Sequence, residues 1–240
     1  MLSECRMIYP YYENPKMLER QVENWNRFGG ELRQNVRIIV IDDGSPNNPA
    51  LPILKECKAK VSLYRVKENI PWNQHGARNL GAKVVTDPNM WLYMSDMDLI
   101  MTPEVMFDLM SKELSEKNYY TFERRFLPDL NPEDNKYHCN TFMVKQKHYW
   151  AIGGYDEDYC GTYGGDGPFL RQLSVIAPRH HLNDITIYGV RETVIDDANT
   201  REWERTGPFK EEYRRRFDAK RRTGNEKSIN PIRFGWEKLL

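Results

Sequence analysis

A chain of 240 residues with 40% hydrophobic side chains is long enough to bury a substantial core, and one domain with a tail is expected. Its 35 basic and 35 acidic residues cancel to a formal charge of zero, which excludes a global basic field drawing it onto nucleic acid or an anionic membrane. No stretch approaches the roughly 18 to 20 apolar residues of a membrane span, and Met1 to Pro10 lacks a basic segment followed by a long apolar one, so a soluble cytoplasmic protein without a transmembrane segment is expected. The cysteines Cys5, Cys57, Cys139 and Cys160 are scattered without a CxxC pair. That argues for reduced thiols and against zinc, with a Cys139 to Cys160 bridge left open.

In chain order, short apolar strands alternate with helical patterns through the first hundred residues, the signature of βαβ units and a largely parallel sheet. A strand over 7–9 precedes a helix over 15–28 that buries Met17, Val22 and Trp25 and stops at Gly29-Gly30. The β-branched run over 36–41 reads as a central strand covered on both faces, and it ends at Asp42-Asp43-Gly44-Ser45. A helix over 51–58, a strand over 61–66, a helix over 73–85 and a strand over 91–94 follow. The second half predicts helices over 102–117, 145–152 and 168–175, strands over 119–126, 140–144 and 185–194, and a polar turn over 131–135. A glycine-rich loop, Gly164-Gly165-Asp166-Gly167, carries an acid into the 168–175 helix. The charged segment from about Asp197 contains the basic cluster 210–222, which reads as a solvated helix face or a phosphate contact.

The most informative residues are Asp96 and Asp98, one residue apart just past the apolar strand over 91–94. Ligands of open α/β sheets bind beyond the carboxyl ends of the strands. Mg²⁺ and Mn²⁺ take oxygen ligands and keep positions open for substrate phosphates, so one or two carboxylates at a strand end are sufficient to hold them. The plain alternative is a loop that leads into the helix start at Thr102-Pro103-Glu104.

Five motifs occur in one order: Ile39-Val40-Ile41-Asp42-Asp43-Gly44-Ser45, His75-Gly76-Ala77-Arg78-Asn79-Leu80-Gly81, Ser95-Asp96-Met97-Asp98, Ile152-Gly153-Gly154-Tyr155-Asp156-Glu157 and Gly164-Gly165-Asp166. Together they resemble the GT-A glycosyltransferases. The opening strands look like family 2 enzymes, Ser-Asp-Met-Asp-Leu-Ile is similar to β-1,4-galactosyltransferases, and Ile-Gly-Gly-Tyr-Asp-Glu to polypeptide N-acetylgalactosaminyltransferases. The resemblance implies an α/β GT-A fold, with a Rossmann-like nucleotide-binding half and a mixed central sheet, over 1–197. A charged helical extension over 198–240 would serve as a lid or an acceptor contact.

It also implies roles for particular residues. Pro10 and Tyr12 would lie against the nucleotide base, and Asp42 and Asp43 would accept from base and ribose, with Asp43 the better match to the uracil contact. Arg78 would contact the base or the Asp43 carboxylate. Asp96 would face ribose or metal, and Asp98 would bind Mn²⁺ or Mg²⁺. Asp166 matches the base that takes the acceptor proton in inverting members, although Gly165 stands where many relatives carry an acid and Gly167-Pro168 replaces further acids. For a third metal ligand, Asp196 or Asp197 fits better than His180 or His181, which read as an exposed turn. Trp72, Trp150 and Tyr163 are candidates for stacking on a sugar, with Tyr163 departing most clearly from a core role.

The implied activity is metal-dependent transfer from a nucleotide-diphosphate sugar, with UDP favoured, to an acceptor hydroxyl, by inversion at Asp166. The alternatives are a retaining transferase with the same donor site and a catalytically silent nucleotide-sugar-binding module. Glycan, protein, lipid-linked sugar and modified DNA base are all open as acceptors.

Overall fold

The computed structural model describes residues 4–130, 137–162, 164–199, 208–223 and 231–240; the predicted turn over 131–135 and Tyr163 lie outside them. The elements are β1 (Cys5–Tyr11), α1 (Pro15–Asn26), α2 (Gly30–Asn35), β2 (Val36–Asp42), α3 (Leu51–Leu54), β3 (Val61–Val66), α4 (Gln74–Lys83), β4 (Trp91–Met94), β5 (Leu99–Ile100), α5 (Pro103–Ser111), β6 (Tyr119–Leu127), β7 (Phe142–Lys145), α6 (Gln146–Ala151), α7 (Asp166–Ile176), β8 (Arg179–Val190), α8 (Pro208–Thr223) and β9 (Trp236–Lys238). A 3₁₀ turn, Glu157–Tyr159, precedes α7.

One mixed sheet runs β5-β8-β6-β7-β4-β1-β2-β3-β9. β4, β1, β2 and β3 pair in parallel. β7 adds to β4 antiparallel and begins the mixed half. Because side chains alternate across a strand, the central strands feed two cores. Met7, Tyr9, Ile38, Val40 and Tyr93 join Trp25 and Met17 on one face. Ile8, Ile39, Ile41, Leu92 and Met94 join Leu80 and Phe169 on the other.

Two helices prepare the carboxyl ends of these strands. α1 presents Met17, Leu18, Val22 and Trp25 to the sheet, but Gln21 and Asn24 are buried with them. Gln21 Nε2 donates to the Met97 and Leu99 carbonyls at 2.8 and 2.9 Å, and Asn24 Nδ2 to Met101 at 2.9 Å. These bonds satisfy the irregular backbone after β4 and fix the segment bearing Asp96 and Asp98. α4 lies so close to the sheet that a Cβ at Gly81 would come within 2.3 Å of Ile8 Cγ2.

Several expectations shift. α3 and α5 are shorter than predicted, ending at Leu54 and Ser111. β8 begins at Arg179 instead of 185, so His180 and His181 are strand residues, not an exposed turn; they align with Tyr120 and Thr121 of β6. The C-terminal segment is woven into the domain: β9 pairs antiparallel with β3, and Glu157 accepts from the Ile232 and Arg233 amides at 2.5 and 3.2 Å. α8 rests on the 3₁₀ turn, with Arg216 Nη1 donating to the Asp158 and Cys160 carbonyls at 2.7 Å each and Lys220 paired with Asp156. All four cysteines are free thiols, which closes the Cys139 to Cys160 alternative. Among the described residues no helix is long and apolar enough to cross a membrane.

Candidate active site

A cavity of about 220 Å³ opens beyond the ends of β1, β2 and β4. Pro10 and Tyr12 line it from the end of β1 and just past it, Asp43 from just past β2, Trp72 and Asn73 from the approach to α4, and Asp96 and Asp98 from the turn after β4. His138, Cys139 and Asp166 close the opposite side. The sequence-predicted Pro10, Tyr12, Asp43, Asp96, Asp98 and Asp166 are therefore brought together, as is Trp72.

Asp42 is not with them. Neighbouring side chains at the end of a strand point to opposite sides. Asp42 turns inward, where its two oxygens accept the Ser45 and Ala50 amides at 2.9 and 3.0 Å, with Arg65 at 3.6 Å. It organises the loop after β2. Asp43 faces the cavity while only 5% exposed, and Asn73 Nδ2 donates to its Oδ1 at 2.7 Å. Burial pushes the Asp43 carboxyl up to about 7, a rise that the Asn73 hydrogen bond partly offsets.

Arg78, expected to contact the base or Asp43, meets a different carboxylate here. It is wholly buried, and its Nη2 donates to Asp96 Oδ1 rather than to Asp43. Its Nη1 donates to Gln74 Oε1 at 3.1 Å one helical turn back, and the guanidinium lies 5.5 Å over the Tyr155 ring. A buried cation needs such a partner, so Arg78 holds Asp96 in place from beneath. Asp96 Oδ2 lies 3.6 Å from His138 Nε2.

The predicted third metal ligands are elsewhere. Asp197 accepts the Lys16 and Met17 amides at 2.7 and 2.9 Å, capping the first turn of α1, and Asp196 pairs with Lys16 Nζ at 2.6 Å on the surface. Asp197 thus answers unpaired N–H groups at the positive end of α1, whereas Asp196 meets only the Lys16 side chain. Among the described residues no three acidic, histidine or cysteine groups converge on a metal position. Asp96 and Asp98 both line the cavity, and their carboxylate oxygens are of the type that suits a hard cation otherwise held by phosphate and water oxygens.

Asp166 opens α7, where the helix dipole favours a negative charge. Burial acts to raise its pKa, but His75 foremost, then Arg78 and His138, hold it below the usual carboxylate range, so it is ionised at neutral pH. His75 Nε2 stands 3.5 Å from Asp166 Oδ1. Cys139 Sγ is 4.0 Å from Oδ2, with its thiol pushed up to about 12 by burial and therefore protonated. Gly165 has φ +99°, and a Cβ there would lie 2.5 Å from His75 Cε1, so the acid of many relatives has no room. Trp150 donates to the Ala82 carbonyl at 3.4 Å and does not line the cavity.

The sequence reading missed His75, Asn73, His138 and Cys139. The first sits inside a motif already noted, but its partner Asp166 is far along the chain. No local pattern marks the other three.

A mixed sheet with this order and acidic groups at the carboxyl ends of its parallel strands is an α/β domain of GT-A type. The sequence matches the glycosyl transferase family 2 model over residues 7–163, and the chain belongs to that family. A comparison with curated proteins finds no match. Among solved structures, S. aureus TarS superposes with a TM-score of 0.63 at 13% identity, over 79% of this chain and 37% of that one. GalNAc-T7, solved with UDP, GalNAc and Mn²⁺, gives 0.64 at 14% identity, over 90% and 48%. The mannosyltransferase PcManGT of Pyrobaculum calidifontis, in complex with GDP-Man and Mn²⁺, gives 0.60 at 13% identity, over 78% and 57%. This chain thus spans less than two thirds of each, and the likeness is one of fold.

Proposed function

We propose that the protein transfers a sugar from a uridine diphosphate sugar to an acceptor hydroxyl with inversion, using Asp166 as base and Asp96 with Asp98 to hold Mn²⁺ or Mg²⁺. The observation carrying this reading is that Asp43, the Asp96/Asp98 pair and Asp166, from separate elements, line one cavity. Asp43 would accept the imide N–H of uracil, and Pro10 and Tyr12 would flank the base. Complexes of TarS with UDP-GlcNAc and of GalNAc-T7 with UDP favour uridine, whereas PcManGT is solved in complex with GDP-Man. A cation at Asp96 and Asp98 would offset charge gathering on the departing diphosphate.

Asp166, ionised, would receive the acceptor proton as the new bond to the anomeric carbon forms. The bond from that carbon to the diphosphate oxygen breaks, and its electron pair leaves with the nucleotide. α8 would hold the glycine loop in place, since a Cβ at Gly164 would lie 2.6 Å from the Tyr213 ring. The acceptor is to be found by screening glycans, proteins, lipid-linked sugars and modified DNA bases.

The test is release of nucleotide from UDP-GlcNAc, UDP-Gal and GDP-Man, with and without Mn²⁺. Turnover of a UDP-sugar that needs the metal and falls at least 100-fold in Asp166→Asn is expected. Full activity in that variant would remove Asp166 from the mechanism, and exclusive turnover of GDP-Man would reassign the donor.

A further inference from the structure

His75 is 1% exposed, and neither ring nitrogen has a hydrogen-bond partner among the described residues. Leaving both unpaired is costly, so their position calls for an explanation. Asp166 Oδ1, 3.5 Å from Nε2, is likewise buried without a hydrogen bond. The two groups are therefore each other's unmet partners, a few tenths of an ångström beyond a good bond.

The packing aims the ring. The imidazole stacks on Tyr155 at 5.1 Å and 10°, and Tyr155 stacks on Phe169 at 3.8 Å and 5°. Phe169 belongs to α7, less than one turn after Asp166. The three-ring stack thus ties α4, which bears His75, to the helix bearing the carboxylate. Gly165 completes the arrangement: its missing Cβ is the space occupied by His75 Cε1. An imidazole from α4 fills the volume that a side chain at 165 would have needed.

We propose that His75 is a positioning residue, whose Nε2–H donates to Asp166 Oδ1 and turns the carboxylate so that Oδ2 faces the acceptor hydroxyl. This rests on Asp166 being the base. Catalytic hydrogen bonds that are long in the free enzyme tighten when substrate fills the site. The acceptor proton goes to Asp166 alone. Arg78 of α4, His138 and Cys139 before β7, and Tyr213 of α8 also face Asp166. Of these, Arg78 is bound to Asp96, and the Cys139 and Tyr213 pKa values are raised, which leaves both neutral.

The test uses the full chain with UDP-GlcNAc and Mn²⁺, comparing His75→Leu, His75→Gln and Asp166→Asn, each checked for folding by thermal melting. Gln carries an N–H donor at about the distance of Nε2, and Leu carries none. The proposal expects kcat to fall at least tenfold in His75→Leu with KM within twofold, and to recover most of that loss in His75→Gln. It also expects the acidic limb of the kcat profile to move to higher pH in His75→Leu, because a carboxylate that loses a donor protonates more readily. Unchanged kcat in His75→Leu beside an inactive Asp166→Asn would overturn this inference alone; full activity in Asp166→Asn would overturn it together with the base assignment. The ligand-free protein gives an independent readout. Side-chain ¹⁵N resonances should report a proton on His75 Nε2 in the native protein and a change in Asp166→Asn, whereas a native ring protonated only at Nδ1 would refute the proposal.

Discussion

Asp43→Asn isolates the cost of holding a carboxylate at the buried floor of the cavity. The native group rises from 3.8 to about 7, chiefly because it is buried. At 1.36 kcal/mol per unit, this corresponds to at most about 4 kcal/mol. Between these two values the folded state binds more protons than the unfolded state, so the contribution works against stability as pH rises through the window and is complete above about 7. Asparagine keeps the oxygen that accepts from Asn73 Nδ2 at 2.7 Å and cannot ionise. Denaturant melts at pH 4.5, 6 and 8 should therefore show the variant gaining on the native protein as pH rises, by about 3 kcal/mol between the extremes, because the unfolded carboxyl is already largely ionised at pH 4.5. Nucleotide should tell the opposite story, with UDP binding to the variant about 10- to 100-fold more weakly for want of a charge-assisted hydrogen bond. A stability difference that is flat with pH, or that shrinks as pH rises, would refute the reasoning.

Gly165→Ala forces a side chain onto φ +99° and against His75, so it should cost about 1–3 kcal/mol in melts and lower kcat as well; a variant as stable and active as native would contradict the packing account. Asp197→Ala removes the acceptor of two amides at the start of α1 and should cost about 1 kcal/mol while leaving the Mn²⁺ dependence of UDP binding intact; loss of that dependence would restore Asp197 as a ligand. Glu157 accepts from Asn79 Nδ2 at 2.8 Å as well as from the Ile232 and Arg233 amides. Replacing it with alanine should cost about 3 kcal/mol and speed amide exchange across 232–238, and unchanged protection there would show that the C-terminal segment is held by other contacts.

The parallel half of the sheet was legible because each central strand is apolar on both faces, as in Ile38 to Ile41 and Trp91 to Met94. Asp43, Asp96 and Asp98 were legible for the related reason that they end such strands. The start of β8 was not. Arg179-His180-His181 is polar, and it becomes strand through its pairing with β6, whose register shifts between Phe122 and Glu123. β9 is three exposed residues that exist as strand through β3. Asp42 and Asp43 were both expected at the nucleotide, with Asp43 the better match, and the alternation of the chain separates a loop-forming residue from one at the cavity. Arg78 was expected at the base or at Asp43, and its ion pair with Asp96 was not legible, since it depends on packing between α4 and the end of β4. The His75 to Asp166 contact and the capping of α1 by Asp197 join residues distant in the chain, where spacing carries no information.

Calorimetric titration of UDP, with GDP, CMP and ADP as controls, in the presence and absence of Mn²⁺, on the native protein and on Asp98→Ala, tests the donor site most directly. Binding of UDP that is strengthened by Mn²⁺ in the native protein and insensitive to it in the variant is the predicted result. A folded native protein that binds none of the four nucleotides, or that binds UDP equally well in Asp98→Ala with and without the metal, would contradict it.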